Sequence, residues 1–311
     1  MVSDKKLSKI IIGSALIVVA IIAINQIVLV DLNIEPRYKF YKKGEAISVV
    51  ESGSEKVNID ALHAQVVPAQ GVTLPIEWGD LGKKMVDDGV IDETKFRQLF
   101  QNGLSNQEEE ILSGWWTEPI VLDQENSRFL LDVLWAFGLA NKNEILTNGE
   151  MTDPQYGGEA GNFAATGGWS LSTGKPMDHY SMHSYVTLNK EQQDRVDSVS
   201  RGIYRPCCGN STHFPDCNHG MAMLGLLQLM AANNATEKEM YEVALRVNSY
   251  WFPQTYVDLA TYFKEQGTEW KDVDPQLVLG KEYSSSAGYA QTRSQIKSIP
   301  QEVNGGGGCG A

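Results

Sequence analysis

The chain has no surplus of positive charge: 26 Lys and Arg stand against 39 Asp and Glu, a net charge of −13 over 311 residues. A nucleic-acid surface needs a basic stripe or patch, so no nucleic-acid partner is expected. Such acidity favours solubility and attracts cations without naming a protein partner. Signatures of hydrolytic and nucleotide chemistry are also missing. No Gly-x-Ser-x-Gly elbow, no His-Glu-x-x-His pair and no Cys-x-x-Cys-His haem attachment occurs. The stretch Gly168 to Pro176 resembles a phosphate loop only superficially. Five residues separate Gly168 from Gly174 where four are needed, and Pro176 stands where a magnesium-binding hydroxyl belongs. Standard zinc-finger spacing is absent too, because no two cysteines lie two to four residues apart. Whether the chain is an enzyme is not decided by its sequence.

Charge is absent altogether from Ile10 to Val30, a run of 21 almost wholly apolar residues. At about 1.5 Å per residue such a helix spans roughly 30 Å, the hydrocarbon thickness of a bilayer. Its few polar residues, Ser14, Asn25 and Gln26, do not mark out one face as they would in an amphipathic core helix. No small-residue cleavage site follows. The expected organisation is a cytoplasmic N-terminus at residues 1–9 and a single-pass anchor in the lipid bilayer at 10–30. A stalk or lead-in follows at 31–71, with a possible hairpin around Ile47 to Val50. Lys5, Lys6 and Lys9 favour an N-terminus inside, although Arg37, Lys39, Lys42 and Lys43 follow the anchor. Two acceptor triplets, at Asn210 and Asn234, would be usable only outside the cytoplasm. The domain is therefore expected on the extracytoplasmic side.

The fold class expected is mainly α: the transmembrane helix, then an irregular, mostly helical globular domain at 72–299 with long Gly-rich loops. Asp92 opens a helix through Phe100, and Ser105 with Glu108 forms a capping-box pattern. Apolar residues recur at helical spacing from Arg128 to Ala140. Further helices are expected over Asn189 to Ile203, Met221 to Ala232 (opened by Cys217 or His219), Thr236 to Tyr250 and Pro253 to Gln266. A short last helix begins at Asp274-Pro275. Tyr156 to Pro176, rich in Gly, Ser and Thr, reads as a long structured loop. Residues 300–311 form a tail in which Cys309 follows four consecutive glycines, a composition that favours flexibility.

The chemistry is concentrated in Pro206-Cys207-Cys208-Gly209, His213 and Cys217-Asn218-His219-Gly220. Three of the four cysteines and two of the five histidines fall within thirteen residues. Thiolate and imidazole are the ligands that select zinc, copper(I) and iron–sulfur centres. Cys207, Cys208, Cys217 and His219 are the expected ligands of a transition-metal ion (Zn, Cu or Fe). Adjacent cysteines chelate one ion with difficulty, so one of Cys207 and Cys208 is expected to serve otherwise. Cys217 stands where a helix begins, which favours its thiolate. A second candidate set is His179 and His183, which would share a face if Asp178 to His183 were helical. The competing pattern, Ser184 to Thr187, reads as a strand. Met177, Met182, Met221 and Met223 lie close by in sequence and are read as packing residues.

The function these features support is a membrane-anchored, extracytoplasmic metal-binding protein for storage, delivery or electron transfer. The alternative is a thiol–disulfide redox protein using Cys207, Cys208 and Cys217, with Cys309 as resolving thiol. A third reading is a structural or docking domain stapled by a disulfide such as Cys208 to Cys217.

Overall fold

Two largely apolar helices that are buried on almost every side set the architecture. Ser127–Ala140 buries nearly every residue from Phe129 onward, and Asn218–Ala232 buries every residue from Asn218 to Ala231. A helix apolar all round must lie inside a protein or a membrane. Here they pack against each other, and the helices at 81–87, 164–167, 190–202 and 237–251 pack on one or both of them. The structure is a computed structural model that describes residues 58 to 298. The expected anchor at 10–30, the hairpin at 47–50 and Cys309 lie outside the described residues. Among the described residues no helix is long and apolar enough to cross a membrane.

Fourteen α-helices and two three-residue strands are present among the described residues. In order they are α1 (Ile59–Val66), β1 (Val72–Leu74), α2 (Leu81–Asp87), α3 (Glu93–Gln98), α4 (Asn106–Ser113), β2 (Ile120–Leu122), α5 (Ser127–Ala140) and α6 (Glu144–Asn148). There follow α7 (Ala164–Gly167), α8 (Lys190–Gly202), α9 (Asn218–Ala232), α10 (Glu237–Trp251), α11 (Pro253–Glu265), α12 (Pro275–Leu279), α13 (Lys281–Ser284) and α14 (Ser286–Arg293). The mainly helical class agrees with the sequence reading.

Local chemistry explains most helix starts. Asp92 accepts the Lys95 N–H. Ser105 with Glu108, Asn189 with Gln192 and Thr236 with Glu239 each close a reciprocal capping box. These satisfy backbone donors that the first turn leaves free. Four segments differ from expectation. The lead-in ends in α1, whose Leu62 and Val66 are buried and which packs on α11. Val72–Leu74 and Ile120–Leu122 pair antiparallel across a long sequence separation, with Val72 opposite Leu122. Ser184 to Thr187 is not a strand, and Asp274-Pro275 opens α12, which is followed by α13 and α14.

The α5–α9 crossing depends on two glycines. A methyl at Gly138 would lie 2.1 Å from the Met221 carbonyl oxygen, and one at Gly225 would lie 2.6 Å from that of Leu134. Both distances are shorter than any real contact, so the two backbones touch here.

One buried charge in α5 gives a stability prediction. Asp132 is 2 % exposed, with one carboxylate oxygen lacking a hydrogen-bond partner. Burial pushes its pKa up to about 7, although Arg128 opposes the shift. A raised carboxyl favours the folded state fully below its unfolded pKa near 4, and that contribution is lost as pH rises toward 7. Asp132→Asn is therefore expected to stabilise the protein at pH 8, on the order of 2–4 kcal/mol, and to be nearly neutral at the acid end of the range. Urea unfolding of both proteins at several pH values checks this; a penalty at pH 8 would contradict it.

Candidate metal centre

The cysteine-bearing segment leaves α8 at Gly202 and enters α9 at Asn218. Its neck is pinched by an antiparallel bridge between Tyr204 and Ser211, and Thr212 N–H donates to the Ile203 carbonyl at 2.7 Å. The loop thus folds back on itself, as its Gly and Pro content allows. Its far end is held by α14, where Ser286 N–H donates to the Cys208 carbonyl at 2.9 Å. Cys217 is the N-cap of α9, and its carbonyl accepts from Met221 N–H at 2.9 Å.

This folding brings the three thiols together. The sulfurs of Cys207, Cys208 and Cys217 all lie within 4.8 Å of one another, and Cys207 Sγ is 3.6 Å from Cys217 Sγ. Ligand sulfurs on a tetrahedral ion with bonds of about 2.3 Å stand roughly 3.8 Å apart. Both members of the adjacent pair therefore belong to the group that could hold an ion, although one of the two was expected to serve elsewhere. None of the three is in a disulfide.

At the centre of the loop is a residue that sequence reasoning missed. Arg205 is 1 % exposed. Its Nε–H donates to Cys217 Sγ at 3.0 Å, its Nη1 to the Asn210 carbonyl at 3.0 Å, and its Nη2 to the Phe214 carbonyl at 3.1 Å. Nη2 also donates to the Asp216 carboxylate. Gly220 makes room for it: a methyl there would lie 2.5 Å from the guanidinium carbon. Asn210 closes the ring by donating from its amide to Asp216 at 2.9 Å.

The protonation pattern follows from these contacts. Hydrogen bonds from Cys207 and Cys208 hold the Cys217 thiol far below its ordinary pKa, with help from the Arg205 cation and the His219 side chain, and they outweigh burial. The Cys207 pKa is raised by its hydrogen bonds to Cys208 and Cys217 and by burial. For Cys208 the hydrogen bond with Cys207 pulls downward, but the one to Cys217 and burial carry it up to about 11. Cys217 is thus the thiol of the set that ionises most readily. Burial opposes charge on Arg205, but Cys217, Cys208 and Asp216 more than offset that, and its pKa is raised. Position at the start of a 15-residue helix adds the dipole's preference for a negative sulfur.

No known protein family matches. Neither a family model, nor a curated protein, nor a solved structure shows significant similarity to this chain.

His219, expected as a ligand, lies outside the group of mutually close sulfurs. It is 2 % exposed, packs against Trp251 and Phe252, and has Nδ1 without a hydrogen-bond partner. It is the second residue of α9, and besides this packing its side chain favours the Cys217 thiolate. His213 serves as a clamp. Its Nδ1 lies 2.7 Å from Glu150, and its Nε2 lies 2.9 Å from Asp197, tying the loop to α8 and to the turn after α6.

The Gly-rich stretch from Tyr156 to Pro176 is a scaffold for the site. Tyr156 and Phe163 pack on Phe214, with ring centroids 4.9 and 5.3 Å apart. Ala165 N–H donates to the Asp216 carbonyl at 3.0 Å. Trp169 is buried against Trp135 and donates to the Val90 carbonyl at 2.8 Å.

His179 and His183 come together, but on a turn rather than a helix. The 3₁₀ turn Pro176–Asp178 ends before them, and Ser181 between them adopts φ +53°. Their partners are Thr173, Asp88 and Tyr185, a set separate from that of the cysteines. Burial, the largest effect, lowers the pKa of His183, while Asp88 opposes it. Met221 and Met223 are core residues, as read from the sequence, whereas Met177 and Met182 are exposed.

Proposed function

We propose that Cys207, Cys208 and Cys217 are the sulfur donors for one thiophilic transition-metal ion. The ion would be zinc, copper or iron, carried on a membrane-anchored, extracytoplasmic domain for storage, delivery or electron transfer. The observation that carries this reading is three cysteine sulfurs within 4.8 Å of one another around a buried cation. Three thiolates on a divalent ion leave a net negative site, and Arg205 supplies the compensating charge. Three protein ligands also leave a position free for exchange, which suits delivery better than permanent structural binding.

The test is metal content of the full chain purified without oxygen. Near-stoichiometric metal is expected in the parent protein and in Cys309→Ser, with loss in Cys217→Ser. Binding should release one proton each from Cys207 and Cys208, because ligand thiols must ionise. Full retention of metal by Cys217→Ser would overturn the assignment.

A second reading rests on the 3.6 Å approach of the Cys207 thiol to the Cys217 thiolate. The same geometry suits a thiol–disulfide pair. A free-thiol count as isolated separates the two. Two thiols missing and recovered on reduction, with no metal, support the redox reading.

A further inference from the structure

The pair His179 and His183 makes no contact with the cysteine centre, yet its hydrogen bonding has a definite chemical consequence. His179 Nε2 is 3.1 Å from the Thr173 carbonyl, which can only accept, so this nitrogen carries hydrogen. His183 Nδ1 is 3.3 Å from the Asp88 carboxylate, which likewise only accepts and so favours hydrogen on this nitrogen. The two remaining nitrogens, His179 Nδ1 and His183 Nε2, face each other at 3.3 Å. In neutral rings both are then lone pairs. Opposed lone pairs at that distance repel unless a cation lies between them.

We infer that His179 and His183 form a second metal site, for an imidazole-seeking transition-metal ion such as Zn(II), independent of the cysteines. Two nitrogens bound at about 2.0–2.1 Å to one tetrahedral ion stand roughly 3.3–3.4 Å apart, and this pair already does. The outer nitrogens have the partners that metal-bound histidines usually have, a backbone carbonyl on one and a carboxylate on the other. Asp88 is itself held by the Tyr185 hydroxyl at 2.9 Å. The backbone is built for the pairing. Ser181 takes a left-handed conformation, which a non-glycine residue adopts at a cost. It is fixed there by its N–H to the Leu139 carbonyl at 2.8 Å, and its hydroxyl accepts from Asn143 N–H at 3.2 Å. His183 retains 22 % side-chain exposure, which leaves the ion reachable from solvent and open positions for water.

The test is Zn(II) binding to the full chain by equilibrium dialysis without oxygen, with the metal counted by elemental analysis. His183→Gln is expected to lose one equivalent relative to the parent protein. Asp88→Asn, at an exposed position, is expected to keep that equivalent with 10–100-fold weaker affinity. Cys217→Ser is expected to retain it, so failure of the cysteine assignment and failure of this one are distinguishable. If His183→Gln binds as many ions as the parent, or Asp88→Asn binds with unchanged affinity, the pair holds only a shared proton and the inference is overturned.

Discussion

Arg205→Met is expected to cost about 3–5 kcal/mol of stability, a penalty typical of leaving buried charge without its partner. The methionine fills similar volume, so packing is not the main loss. What disappears is the cation to which Cys217 and Asp216 are bound, together with donors to the Asn210 and Phe214 carbonyls. The remaining Asp216 is left with two neutral donors, the Asn210 amide at 2.9 Å and the Cys208 thiol at 3.8 Å. Arg205→Lys tests geometry apart from charge. An ammonium keeps the positive charge but lacks the planar fork that reaches a sulfur, two carbonyls and a carboxylate at once. The lysine variant is expected to fall between the parent and the methionine variant in urea unfolding. Alkylation rate against pH gives a second readout. The Cys217 inflection should move upward in both variants, because part of what favours its thiolate is gone. A methionine variant as stable as the parent, with an unmoved alkylation profile, would show that the guanidinium has no structural or electrostatic role.

Gly138→Ala is expected to be the other large loss. Its methyl would sit 2.1 Å from the Met221 carbonyl oxygen and 3.1 Å from Gly225 N. Those are main-chain atoms, so no side-chain rotation relieves the clash and α5 must separate from α9. Overpacking of this kind costs about 3 kcal/mol, or roughly 6–12 °C in melting temperature for a domain of this size. The effect should also reach the site. Helix α9 begins at Cys217's junction with Asn218, so a shift of the helix displaces that sulfur relative to Cys207 and Cys208. Weakened metal binding alongside the lower melting temperature is the expected combination. An unchanged melting temperature would mean that the two backbones are not in contact.

Much of the helical scaffold was legible because its signals are local. The capping pairs Ser105 with Glu108 and Thr236 with Glu239 and the apolar spacing through Phe129 and Val133 each act within a few residues. The strands were not, because Val72–Leu74 finds its partner only in the tertiary fold. The same division runs through the site. Clustered cysteines in sequence pointed to the three sulfurs that meet in the fold. Arg205 left no trace, since a charged residue in a polar stretch normally faces water. Its burial depends on Gly220 and on the carboxylate of Asp216, which come together only in the folded loop. His179 and His183 showed the right spacing for the wrong reason. They meet through a left-handed Ser181 that no helical periodicity encodes.

X-ray absorption at the edge of the metal that copurifies with the full chain tests the central claim most directly. A first shell of three sulfurs at about 2.3 Å, losing sulfur in Cys217→Ser, is the result that the geometry of Cys207, Cys208 and Cys217 predicts. A shell of nitrogen and oxygen alone, or a metal-free protein with Cys207 and Cys217 joined as a disulfide, would contradict it.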